Sequence, residues 1–177
     1  MEIKRVWAMP SRHTFTIKPI KELLERWVKD GKGWIDPFAG ENSPAEITND
    51  LNKQKPTDYH EDARDFVKRF NGFKGALFDP PYSPRQVKEC YDGIGKEVTA
   101  KDTKMSFWSE IKNELGRRVK TGGIIICCGW NSMGLGKGRG FEMLEILLVP
   151  HGATKNDTIV TVERKVQSKL GEMIDNG

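Results

Sequence analysis

The apolar positions of the chain fall into separated runs of two kinds, one recurring every three to four residues and one continuous. Ile20, Leu23, Leu24, Trp27 and Val28 occupy the i, i+3, i+4, i+7 and i+8 positions of one helical face. Pro19 stands where a first helical residue belongs, and Gly31 and Gly33 end the run. A very short strand, Trp34-Ile35, follows and runs into Asp36-Pro37-Phe38-Ala39-Gly40, and Glu46-Ile47-Thr48-Asn49 reads as a second short strand. Ala63, Phe66, Val67 and Phe70 mark a helix, with Asp62 near its N-terminus, where the peptide dipoles favour a carboxylate. Gly75-Ala76-Leu77-Phe78 reads as a buried strand ending at Asp79-Pro80-Pro81-Tyr82. Phe107, Ile111, Leu115 and Val119 predict a further helix, opened by Ser106 and stopped by Gly122-Gly123. Ile124 to Cys128 is β-branched and apolar on both faces, as central parallel strands are. Two last strands, Phe141 to Val149 and Thr158 to Arg164, flank a turn containing Pro150, Gly152, Asn156 and Asp157, and so short a connection makes them an antiparallel pair.

Strands alternating with helices and closing on a hairpin predict an α/β sheet with an antiparallel edge. The 177 residues suit one domain with a sizeable core, so residues 1–177 are read as a single unit. Only 14 positions separate Asp36 from Asp50, so the first crossover must be very short or irregular, and Pro44 fits that reading. The tail after Lys165 is polar and reads as a short helix or a loosely ordered segment.

Composition narrows the function classes only a little. With 37% apolar and 31% charged residues and no run near the ~18 apolar residues of a membrane span, a soluble, membrane-free protein is expected. Met1-Glu2-Ile3-Lys4-Arg5 has no apolar stretch behind it, which points to a cytoplasmic protein. A net charge of +4 permits a nucleic-acid partner without demanding one. Three cysteines, two of them the adjacent Cys127-Cys128, make neither a disulfide framework nor a zinc pattern, and His13, His60 and His151 lie far apart, so no metal is expected.

The sharpest chemical signal is Asp79-Pro80-Pro81-Tyr82. It follows a buried strand, which places it at the carboxyl edge of the sheet, where open α/β folds hold their ligands. Two prolines stiffen the chain and remove two N–H donors, leaving carbonyl acceptors beside a carboxylate and an aromatic ring. That set suits an amino group on a flat base. The lone pair of such an amine is delocalised into the ring, and acceptors aimed at its hydrogens favour a pyramidal nitrogen and stabilise the charge developing on it. A ring alongside can stack on a base turned out of its duplex. The second signal, Asp36-Pro37-Phe38-Ala39-Gly40, also lies at a strand end. Ala39 and Gly40 allow close backbone approach to a ligand, and a carboxylate there can accept from a ligand ammonium group.

With these two motifs on one chain, the sequence resembles the class I S-adenosylmethionine-dependent amino-methyltransferases of DNA, particularly the small forms of phages and prophages. Asp79-Pro80-Pro81-Tyr82 resembles their catalytic motif and Asp36-Pro37-Phe38-Ala39-Gly40 their first cofactor motif. His13-Thr14-Phe15-Thr16-Ile17-Lys18-Pro19, leading into Leu23-Leu24-Glu25-Arg26, is similar to their segment beside the methionine end of the cofactor. The resemblance covers roughly Phe15 to Arg164. It implies a Rossmann-like fold, a mostly parallel sheet with a C-terminal antiparallel hairpin, S-adenosylmethionine as cofactor and DNA as partner. Asp79, Pro80, Pro81 and Tyr82 would form the catalytic motif. Phe15, Thr16, Lys18, Pro19 and residues Asp36 to Gly40 would line the cofactor. By the same resemblance Asp50 takes the place of the acid that holds the ribose hydroxyls, a role Asn49 could share, and Asp62-Ala63 that of the segment flanking the adenine. Asp62 is also readable as a plain helix cap, and both roles can coexist.

The implied reaction is methylation of adenine N6 in DNA. Cytosine N4, an RNA substrate and a non-catalytic nucleic-acid-binding module on the same fold remain the alternatives, and the leading Asp79 leans towards adenine. No segment is large enough for a separate target-recognition domain, so a short recognition sequence is expected, with dimerisation left open. Two loops remain for substrate: Lys96 to Lys104, with Gly93 and Gly95 as hinges, and Gly134 to Gly140. The latter looks like a dinucleotide glycine loop but leads into a strand rather than a helix, so that reading fails. Either it is a flexible hairpin loop or its Lys137 and Arg139 reach phosphates.

Overall fold

A computed structural model describes residues 1–81, 105–152 and 156–166. Tyr82, the segment Lys96–Lys104 with Gly93 and Gly95, and the tail beyond Val166 lie outside the described residues. In chain order the elements are β1 (Glu2–Arg5), a 3-10 turn (Thr14–Thr16), α1 (Lys18–Val28), β2 (Trp34–Asp36), β3 (Ile47–Thr48), α2 (Ala63–Lys68), β4 (Phe73–Phe78), α3 (Met105–Arg118), β5 (Val119–Gly129), a 3-10 turn (Lys137–Arg139), β6 (Phe141–Val149) and β7 (Thr158–Lys165).

The strands form one sheet in the order β1-β6-β7-β5-β4-β2-β3. β3, β2, β4 and β5 are mutually parallel, β7 is antiparallel to both β5 and β6, and β1 is parallel to β6. Six strands therefore point one way and β7 alone points back. The C-terminal hairpin is present, but it does not form an edge: β7 is enclosed between β5 and β6, and β1 closes that side of the sheet. β1 escaped the sequence reading because Glu2-Ile3-Lys4-Arg5 is exposed along nearly its whole length and carries no period-two apolar pattern.

Side chains alternate between two cores. On one face Phe66 and Val67 of α2 and Phe107, Ile111 and Leu115 of α3 pack on Ile35, Ala76, Phe78, Ile125 and Cys127. On the other, Ile20, Leu23, Leu24 and Val28 of α1 pack with Phe15 on Trp34, Leu77, Ile126, Cys128, Val160 and Val162. The period of two along β2 and β4 thus carries Asp36 and Asp79 onto the α1 face at the carboxyl edge. Glu145, buried on β6, fastens α1 and β1 to the sheet by accepting from Arg26 (2.8 and 3.3 Å), Trp27 Nε1 (2.9 Å) and Lys4 (3.4 Å). Burial opposes its charge, but the bonds from Arg26 and Trp27 hold its carboxyl below the usual range.

Two local readings are corrected. Val119 belongs to β5, opposite Phe73, rather than to the preceding helix. Gly122-Gly123 is not a helix stop but a bulge: the register steps from Phe73↔Val119 to Gly75↔Ile124, Gly122 takes φ +79°, and a Cβ on Gly123 would lie 2.8 Å from Lys120 O. A glycine pair serves both purposes, and the local sequence does not choose between them. The β2–β3 crossover, residues 37–46, contains no α-helix, as its length requires.

Gly75 lets the Trp34 indole lie flat on the neighbouring strand, since a Cβ there would sit 2.7 Å from three ring atoms. Gly75→Ala should destabilise the protein by about 1–3 kcal/mol in urea unfolding. In a Trp34→Leu background the same change should cost measurably less, the non-additivity reporting the contact itself.

Candidate functional site

The carboxyl ends of β2, β3, β4 and β5 meet at one sheet edge, and each delivers polar chemistry there. Asp36, the last residue of β2, is fully buried. Its Oδ1 accepts from Phe38 N (2.9 Å) and its Oδ2 from Ser43 Oγ (2.6 Å). Burial raises its carboxyl to about 7 against these two bonds, and the carboxylates of Asp79 and Asp50 push it the same way. Three strand ends therefore bring three carboxyl groups together. On the next strand, Cys128 is pushed up by burial and, next, by the same Asp79. Asp79 and Pro81 are half-buried and Pro80 is buried.

One side chain draws the loops of this edge together. Asn49, 1% exposed, donates from Nδ2 to Pro37 O (3.1 Å) and Glu61 O (3.0 Å), and its Oδ1 accepts from Glu61 N (3.0 Å). Its main chain also donates to Asp36 O and accepts from Ala39 N, both at 2.9 Å. The loop after β2, the end of β3 and the entry to α2 are thus laced through a single residue. The expectation that Asn49 shares a ribose-binding role with Asp50 gives way to a structural one, because its amide is turned inward with its donors and acceptor engaged. Sequence reasoning missed this, and it also missed Ser43, which sits in the crossover with no pattern to mark it.

Asp50 lies against the Asp36–Gly40 loop: its Oδ2 accepts from Gly40 N (3.2 Å) and its Oδ1 from Asn52 N (2.8 Å). Gly40 takes φ +57°, and a Cβ there would meet nothing within 4 Å, so the loop opens onto space at this point. Ala39 and Pro37 are buried, and Phe38 anchors the loop edge-on to Phe78 (5.6 Å) and Trp108 (5.8 Å). Asp62 caps α2 through Arg64 N (2.9 Å) and pairs with the Arg64 guanidinium at 3.0 and 3.1 Å, while Ala63 is buried in the core. The capping role of Asp62 is therefore present, and Asn49 holds the neighbouring Glu61 beside the Pro37 loop.

The segment before α1 is split by burial. Phe15 and Pro19 are buried, Phe15 packing in the cluster that holds Trp34, Leu77 and Cys128, whereas Thr16 and Lys18 are exposed. Thr16 Oγ1 donates to His13 O (2.8 Å), closing the 3-10 turn. Among the described residues no three His, Cys, Asp or Glu side chains come together as a metal site, and no helix is long and apolar enough to cross a membrane.

The glycine loop from Gly134 to Gly140 is filled by the protein itself. Glu163, buried on β7, accepts from Leu135 N (2.5 Å) and Gly136 N (2.9 Å), the donors a phosphate would want. Burial raises its carboxyl in spite of those bonds and of nearby Lys112 and Arg139. Arg139 donates to Asn113 Oδ1 (2.8 Å), Leu135 O (2.9 Å) and Ser109 Oγ (3.0 Å), which commits it to bracing the loop against α3. Of the two cations expected to reach phosphates, Lys137 is the exposed one.

No family model matches the sequence, and no curated protein matches it. Among solved structures, TrmN from Thermus thermophilus superposes with a TM-score of 0.56 at 15% identity, covering 85% of this chain and 49% of that one. The Burkholderia thailandensis 1,6-didemethyltoxoflavin-N1-methyltransferase, bound to 1,6-didemethyltoxoflavin and S-adenosylhomocysteine, gives 0.56 at 12% identity over 85% of this chain and 78% of that one. The putative methyltransferase yhhF from Escherichia coli gives 0.55 at 11% identity, covering 89% of each. The fold is the Rossmann-like methyltransferase fold. The chain spans about half the length of TrmN and most of the other two.

Two outcomes follow from the geometry. Asn49→Ala strands Glu61 N, Glu61 O and Pro37 O and should lower stability by about 2–4 kcal/mol, read by urea unfolding. For Asp36, the folded state holds the proton more tightly than the unfolded chain, so its contribution to stability falls as pH rises between about 4 and 7. The ligand-free Asp36→Asn variant should gain on the wild type across that window and stay ahead above it, by on the order of 3 kcal/mol, in melts at a series of pH values.

Proposed function

We propose that this protein binds S-adenosylmethionine at the β2–β3 end of the edge and methylates the exocyclic N6 amine of adenine in DNA. The observation that carries the reading is the position of Asp79-Pro80-Pro81, the described part of the motif that Tyr82 completes in the sequence. The motif leaves β4 at the carboxyl edge, on the face of Asp36, with Asp79 close enough to Asp36 and Cys128 to bear on the charge of both.

The residues present fit the cofactor. Asp36 is a buried carboxyl on which the carboxylates of Asp79 and Asp50 bear, so the site favours a ligand carrying positive charge, and the ammonium group of S-adenosylmethionine supplies it. Asp36 to Gly40 would hold the methionine end beside Phe15, Thr16, Lys18 and Pro19. Asp50, adjoining the open face of Gly40, would take the ribose hydroxyls, with Asp62-Ala63 bordering the adenine. Bound there, S-adenosylmethionine supplies an electrophilic methyl on a sulfonium. The toxoflavin enzyme, an N1-methyltransferase holding S-adenosylhomocysteine on the same fold, supports a nitrogen acceptor on a flat heterocycle.

In this reading Asp79 and a carbonyl of the Pro80-Pro81 turn accept the two amine hydrogens. That grip would turn the nitrogen lone pair out of conjugation, and the acceptors would take up one N–H proton of the amine, while bound S-adenosylmethionine would supply the methyl that replaces it and leave as the neutral thioether. Tyr82 is assigned to stacking on the base and Lys137 to the DNA backbone.

A labelled-methyl assay on duplex DNA, followed by digestion and base analysis, tests this. N6-methyladenine is expected. N4-methylcytosine, or label carried only by RNA, would replace the substrate, and absence of cofactor binding in calorimetry would refute the whole reading. Folded Asp79→Ala should bind cofactor but lose about 10²-fold or more in turnover, the scale of removing one positioned polar group from a transition state.

A further inference from the structure

Of the parallel strands at this edge, β2, β3 and β4 each lead into residues already assigned, whereas the fourth, β5, delivers Trp130. β5 ends at Gly129, and its register pairs Cys127 with Phe78, so Trp130 leaves the sheet beside the Pro80-Pro81 turn. Ile126 and Cys128 of β5 lie on the α1 face, the face of Asp36 and Asp79, and Trp130 follows them at the bend after Gly129.

Trp130 is 45% exposed and Met133 is 77% exposed. A lone exposed aromatic needs no explanation. Here a Trp and a Met share one short loop at the ligand edge, and the loop is clamped. Asn131 Oδ1 accepts from Met133 N (3.1 Å), and Lys112 Nζ donates to Gly134 O (2.7 Å). Glu163 holds the next two N–H groups, and it approaches Gly134, at φ +53°, so closely that a Cβ would overlap its carboxylate. β5 fixes the other end. An indole presented at a ligand edge from a fixed mount is pre-organised for flat contact at low entropic cost.

We propose that Trp130 is a stacking wall of the substrate site. Its indole face takes the ring of an unpaired nucleobase, with Met133 as a second apolar contact. This rests on the nucleobase reading above and adds a division of labour to it. Stacking sets the plane of the ring but leaves it free to turn, and Asp79, gripping the amine at the ring's edge, sets the rotation. A π-face reads no sequence, so this contact would serve any target sequence alike.

The test begins with protein labelled with 5-fluorotryptophan, whose five tryptophans give five fluorine resonances. Trp130→Phe identifies the resonance of Trp130. Addition of an adenine-containing single-stranded oligonucleotide with S-adenosylhomocysteine should shift that resonance by ring current. In methyl transfer, Trp130→Ala should lower kcat/KM for DNA roughly 5- to 150-fold while cofactor affinity holds. Trp130→Leu, which keeps apolar bulk without a π-face, should resemble Ala, and Trp130→Phe should stay within about threefold of wild type. A Trp130→Ala enzyme with wild-type kinetics, or a Trp130 resonance unmoved at a saturating oligonucleotide concentration, in either case with wild-type protein that methylates DNA, overturns the stacking role alone. Wild-type protein that methylates no nucleic acid overturns the functional reading beneath it.

Discussion

The candidate site depends on the amide of Asn49. Parallel strands do not position their own loops, and the β2–β3 crossover here has no helix to brace it, so something must hold residues 37–46 in place. One buried side chain does so, bonding to Pro37 O and to both main-chain groups of Glu61, while its own backbone closes on Asp36 and Ala39. Because Asn49 is 1% exposed and its bond to Pro37 O is buried, these bonds are expensive to leave unmade. Asp50 then reaches the ordered loop, its Oδ2 accepting from Gly40 N at 3.2 Å.

The second organising fact is electrostatic. A carboxyl buried as completely as Asp36, with Asp79 and Asp50 as its charged neighbours, is held in a state it would leave if a cation arrived. Folding without ligand works against that arrangement, and a positively charged ligand relieves it. Strain of this kind is expected at binding sites, where local rules are broken for the sake of function. The glycine loop shows the opposite case. Its N–H groups have the look of an anion site, and the protein has filled them with Glu163, so what remains is a stiff mount and not a cradle.

Much of this was legible in the chain. The helix at Ile20–Val28, the central strand at Ile124–Cys128 and the hairpin at Phe141–Arg164 carry full hydrophobic periods, and Asp36 and Asp79 stand at strand ends because apolar runs stop there. What was not legible has physical causes. β1 is polar and exposed, so its pairing with β6 depends on a partner about 140 residues away. Val119 satisfies the helical period and the strand equally, and only the bulge at Gly122-Gly123 decides between them. Asn49 looks like any polar residue after a strand, since its three side-chain bonds are made to backbone, which has no sequence signature. Arg139 is similar: a cation in a glycine-rich loop reads as a phosphate ligand until its partners on α3 are seen.

The reversed strand bears on how the molecule is assembled. β5 receives β4 on one side within the first 129 residues of chain, but its other side is closed only by β7, beginning at Thr158, and β1 waits for β6. A nascent chain therefore carries the parallel half of the sheet, with its candidate site, before the strand that seals it exists, and during that interval β5 presents an apolar, unpaired edge of the kind that invites pairing with another chain. The β6–β7 hairpin is local and forms quickly, so its insertion beside β5 is the step that ends this exposure, whereas the β1 closure, joining the two ends of the chain, is the slow, high-separation contact. Conditions that delay this insertion accordingly leave β5 open for longer to pairing with another chain, however well packed the finished core is.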